Sequence, residues 1–90
     1  MEYTKEIDLK GQVSPFVVVN AMKEVETYAV KIRSGEINEE AVVLEFIIDH
    51  MPAVDSIPDA AENMGFECKV SEIQSGIWKI AVRLLKSDLV

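Results

Sequence analysis

The sequence predicts an α/β two-layer sandwich, β-α-β-α-β-β, with a four-stranded mixed sheet and two helices on one face. Three observations predict it. Two segments carry an apolar stripe at helical spacing, and the others show the alternation or the buried apolar runs of strands. Helices separate the first three strands, which implies parallel pairing through right-handed crossovers, and the chain closes in a hairpin. Ninety residues, 49% hydrophobic and 28% charged, suit one globular domain over residues 1–90. We find no internal repeat, linker or low-complexity stretch.

The first strand is Lys5-Glu6-Ile7-Asp8-Leu9, where Tyr3, Ile7 and Leu9 share a side and Gly11 breaks the run. Ser14-Pro15 opens the first helix: serine is a preferred N-cap, and proline suits the first helical position because its missing N–H would be unpaired there. Val18, Met22, Val25, Ala29 and Ile32 then form the stripe, ended by Ser34-Gly35. Ala41 to Ile48 is apolar on both faces except at Glu45, as expected of a central strand. After the loop Asp49-His50-Met51-Pro52, the sequence Ser56-Ile57-Pro58-Asp59 reads as a capping box with an early proline. Ile57, Ala60, Ala61 and Met64 make the short apolar face of that second helix, and Gly65 stops it. Phe66 to Ile73 and Ile77 to Leu85 are the closing hairpin, joined at Gln74-Ser75-Gly76, and the tail from Lys86 to Val90 is expected to fray.

Nine Lys and Arg against 16 Asp and Glu give a net charge of -7. Nucleic-acid binding draws much of its affinity from Lys and Arg on phosphate, so DNA, RNA and anionic membrane surfaces are disfavoured partners. No apolar run approaches the roughly 20 residues that span a bilayer. The N-terminus lacks the pattern of a signal peptide, so a cytoplasmic location is expected. The single cysteine, Cys68, supports neither an internal disulfide nor a multi-cysteine zinc site.

Ser14 is read first as a helix cap. Its place at a helix N-terminus, with unpaired N–H groups and positive dipole, also suits a bound anion or a partner's carboxylate. Cys68 lies in a strand, in phase with Val70 and out of phase with Lys69, which favours a buried, inert thiol. His50 has no second histidine at ligand spacing, so no metal site is expected. Ser14, His50 and an aspartate do not make a triad, because the chain lacks the Gly-x-Ser-x-Gly elbow. No Gly-rich phosphate loop exists and no cofactor is implied. Glu24, Glu26, Glu36, Glu39 and Glu40 read as a solvated face, with a docking surface for a basic partner as the alternative.

Several stretches, taken in order, resemble the TusA/SirA-like family of small sulfur-carrier proteins. They are Asp8-Leu9-Lys10-Gly11 with Ser14-Pro15, Asp49-His50-Met51-Pro52-Ala53, and Asp55-Ser56-Ile57-Pro58, followed by Gly65-Phe66-Glu67 and Trp78-Lys79-Ile80. The resemblance covers nearly the whole chain, with an insertion around Ser34 to Glu40. It implies the sandwich fold and a sulfur relay. In that relay a cysteine in a Cys-Pro-x-Pro motif at the first helix carries a persulfide, received from a cysteine desulfurase or another carrier. Here the carrier position holds Ser14, followed by Pro15, Phe16 and Val17; the cysteine and the second proline are absent. The expectation is therefore a family member without a carrier thiol, acting as an interaction or regulatory module. Ser14, Pro15, Phe16 and Asp49 are its candidate binding residues, and its expected partner is a desulfurase or other sulfur-relay protein. Two alternatives remain: an active carrier using Cys68 or a partner's thiol, and a structural homo-oligomer joined at the Phe16–Val17 end of the first helix.

Overall fold

Strand β2 (Ala41–Ile48) runs between β1 (Glu2–Asp8) and β4 (Ile77–Leu85), and β3 (Glu67–Gln74) lies outside β4. This arrangement is seen in a computed structural model, which describes residues 2–89. β1 and β2 pair in parallel, with Ile7 opposite Phe46. β4 is antiparallel to both its neighbours, so Val82 faces Leu44 on one side and Cys68 on the other. The closing strand is thus inserted between β2 and β3, and β1, β2 and β3 all point the same way. Helices α1 (Phe16–Arg33) and α2 (Ala53–Asn63) fill the connections between them. This is the mixed-sheet sandwich that the sequence predicts.

The core lies between sheet and helices. Val42, Leu44, Phe46 and Ile48 of β2 and Ile80, Val82 and Leu84 of β4 are fully buried. They form one cluster with Val17, Ala21 and Val25 of α1 and Ala53, Ile57 and Ala61 of α2. The alanines let helix backbones approach the sheet closely, and large residues fill the spaces between. The buried stripe of α1 is Val17, Ala21, Val25, Tyr28, Ala29 and Ile32. Val18 and Met22, expected in it, are only partly buried at its edge. The helix is turned to set small Ala21, rather than bulky Met22, against the sheet.

Three further expectations are corrected. The cap of α1 is Pro15, with no side-chain cap bond. The Val17 amide, which a Ser14 cap would satisfy, already donates to the Val13 carbonyl at 3.0 Å. Helix α2 starts at Ala53 rather than at Ser56, because Pro52 already has helical φ (-58°) and nucleates the turn. The Pro52 carbonyl accepts the Asp55 and Ser56 amides at 3.3 and 3.2 Å and the Ser56 hydroxyl at 3.0 Å. Ser56 therefore bonds back into the first turn, and Pro58 lies inside the helix. Finally, Lys86–Leu89 does not fray but forms one helical turn, α3. Its Lys86 amide donates to the Glu40 carbonyl at 2.9 Å, Arg33 Nε donates to the Leu89 carbonyl at 3.3 Å, and Leu89 packs on the core. Val90 lies outside the described residues.

β3 is the exposed edge of the sheet. Cys68 opposes buried Val82 and Val70 opposes Ile80, so both lean to the helix side, as the phase predicts. Val70 is nonetheless 42% exposed. Among the described residues no helix is long and apolar enough to cross a membrane.

Candidate functional site

The parallel direction of β1, β2 and β3 gathers one end of the molecule. Where these strands finish, α1 and α2 begin, and loops following parallel strands come out beside each other. The β1–α1 loop is shaped first by Leu9, whose amide extends the β1–β2 pairing by donating to the Ile47 carbonyl at 2.8 Å. Gly11 then turns the chain with φ +88°, a conformation L side chains rarely adopt. Its amide donates to Asp49 Oδ1 at 2.9 Å, which ties the β1–α1 loop to the β2–α2 loop. Lys10 lies beside Asp8: its amide donates to Asp8 Oδ1 at 3.0 Å and its ammonium is 3.5 Å from Oδ2. These contacts, the amide foremost, hold the Asp8 carboxyl below its ordinary range. Further on, Asn20 Nδ2 donates to Gln12 Oε1 at 2.8 Å and fixes the loop to α1.

Ser14 and His50 meet across these loops. Ser14 Oγ lies 3.1 Å from His50 Nε2, with the hydroxyl as donor when that nitrogen carries no proton. His50 is anchored at its backbone, where its carbonyl accepts the Ala53 amide at 3.0 Å. Asp49 Oδ1 accepts the Gly11 amide, and Ser14 and His50 form a serine–histidine pair. The Phe16 and Val18 amides at the start of α1 have no backbone acceptor among the described residues. Phe16, two residues after Ser14, is 65% exposed, and Met51, which follows His50, is 70% exposed. Val17 is fully buried, which corrects its place in a Phe16–Val17 interface.

Cys68 sits elsewhere. Its partner Val82 is about 17 Å along β4 from Ile77, at the usual ~3.3 Å rise, and Ile77 marks the site end. The thiol is half-buried; burial, and secondarily the Glu62 charge, pushes it up to about 11. Pro15 supplies the first carbonyl of α1, accepting the Val19 amide at 3.1 Å. Among the described residues no group of His, Cys, Asp and Glu is placed to hold a metal ion.

The contact of His50 with Ser14 is not visible in the local sequence. The signal was topological: a residue just past a buried parallel strand emerges next to the loop after its parallel neighbour. That loop carries Ser14.

The sequence model of the sulfurtransferase TusA family matches residues 5–84. A protein of Archaeoglobus fulgidus, whose name places it among sulfur carrier proteins, is 31% identical over 84 residues, covering 92% of this chain and 84% of the relative. The crystal structure of a SirA-like protein from Desulfitobacterium hafniense superposes with a TM-score of 0.66 over 92% of this chain and 96% of that one. At 24% identity, that likeness speaks for the fold.

Proposed function

Since this chain belongs to the sulfurtransferase TusA family, we propose that it is a cytoplasmic interaction module of sulfur relay that docks like a carrier but takes up no sulfur. The observation that carries the reading is the hydroxyl of Ser14, bonded to His50 at the start of α1. Persulfide transfer needs a thiolate that attacks the outer sulfur of a donor persulfide, forming one S–S bond as another breaks. A serine forms no S–S bond and offers no thiolate.

Cys68 is poorly suited to take over. Its thiol, raised to about 11, stays protonated at neutral pH. It also lies toward the opposite end of β3 from the helix starts. Exposed Phe16, two residues after Ser14, and Met51, next to His50 in the chain, supply apolar surface, and exposed Asp49 and Asp55 after β2 give that end an acidic rim. The partner class is a desulfurase or another relay protein whose docking face complements this rim; the net charge of -7 argues against DNA.

A competition assay tests this. A cysteine desulfurase loads sulfur onto a thiol-bearing family member in the presence of increasing amounts of this chain. Loading should slow with concentration while the chain stays sulfur-free. Loading that is unaffected by a large excess contradicts the docking role.

A further inference from the structure

We propose that Ser14 and His50 form a nucleophile–base pair that accepts an acyl group from an activated ester or thioester. This goes beyond sulfur relay and does not depend on it. The structure shows a hydroxyl within hydrogen-bond reach of an imidazole nitrogen, at 3.1 Å, the first geometric requirement for an activated serine. The loop that carries His50 is held at its backbone: Asp49 accepts the Gly11 amide, and the His50 carbonyl accepts the Ala53 amide of α2. The Phe16 and Val18 amides have no backbone acceptor among the described residues. They lie two and four residues after Ser14 in the chain and, in the proposed step, donate to the developing oxyanion. Phe16 and Met51, 65% and 70% exposed, offer an apolar surface to the acyl chain.

In the step, His50 Nε2 takes the proton of Ser14 Oγ as the oxygen bonds to the acyl carbon. The tetrahedral oxyanion then collapses, the bond to the leaving group breaks, and His50 returns the proton to the departing alcohol or thiol. The products are an O-acyl serine and the free leaving group. Water, activated by the same imidazole, releases the acid and restores Ser14. No oxidant or reductant is needed.

The test uses the full chain and a fluorophosphonate, which traps activated serines. We expect one phosphonyl group per chain, mapped to Ser14, forming at least about 10-fold faster in the folded than in the urea-unfolded protein. His50→Gln should slow labelling about 10-fold or more, with His50→Asn as the second variant should the first not unfold cooperatively. p-Nitrophenyl acetate should give a burst of one nitrophenol per chain, absent in Ser14→Ala. Labelling outside Ser14, equal rates in folded and unfolded chain, or undiminished rates in a folded His50 variant would overturn the proposal.

Discussion

A thiol introduced at position 14 would sit two residues before α1, near the unaccepted amides of Phe16 and Val18 and next to His50. The dipole and those donors favour thiolate. The Ser14→Cys side chain should therefore titrate below the roughly 8.5 of a free cysteine, measured by the pH dependence of its alkylation rate. Cys68 should behave oppositely. Burial pushes its folded-state value up to about 11, above the roughly 8.5 of a cysteine in the unfolded chain, so protonated Cys68 supports the fold at low pH. That support is complete below the unfolded value and is lost as pH rises between the two. Urea midpoints followed from pH 8 to 11 should fall more in the parent than in Cys68→Ala, and native Cys68 should label far more slowly than denatured Cys68. Parallel pH curves for the two proteins would show that its burial has no such effect. The phase of Cys68 was legible, because partnership with Val70 in one strand is a matter of counting residues. The Ser14–His50 contact was not, since it joins two loops brought together only by the parallel sheet.

At the scale of elements, the missing cap and the proline inside α2 have measurable consequences. Ser14→Ala removes one exposed hydrogen bond to His50 rather than an N-cap bond. It should cost about 0.5 kcal/mol, less than the ~1 kcal/mol of a lost cap. A loss of 1 kcal/mol or more in urea unfolding would contradict the assignment of Pro15 as the cap. Pro58 has no N–H for the Val54 carbonyl in the turn before it. Pro58→Ala should raise stability by about 1–2 kcal/mol, the helix-interior penalty of ~3 kcal/mol reduced by the added freedom of the unfolded chain. Destabilisation by the same substitution would mean that Pro58 packing matters more than the missing bond. Helix existence was readable from apolar spacing, and the stop at Gly65, with φ +86°, from its residue type. Helix starts were less readable. Ser14 and Ser56 both match cap statistics, yet the Val13 carbonyl takes the Val17 amide that Ser14 would cap, and Ser56 lies inside α2 with its hydroxyl donating to the Pro52 carbonyl. Local sequence cannot rank a serine oxygen against a nearby carbonyl.

At the scale of the whole molecule, the sheet depends on β2 and β4, the two strands paired on both sides. Leu44 and Ile80 are fully buried on the helix side, and Leu44→Ala or Ile80→Ala should each cost about 2–5 kcal/mol. The fold class was legible because strand order and buried runs leave few topologies. Placing β4 between β2 and β3 rests on tertiary pairing, which alternation alone does not encode. The proposed docking role belongs to the end where three parallel strands finish and two helices start. There Ser14 presents a hydroxyl, and the chain's one thiol, Cys68, is half-buried elsewhere. The central claim is that this scaffold docks without carrying sulfur, and its most direct test is the intact mass of the native chain after incubation with a cysteine desulfurase and free cysteine. We predict an unchanged mass for the parent and the gain of one sulfur atom for Ser14→Cys; a persulfide on Cys68 of the parent would contradict the account.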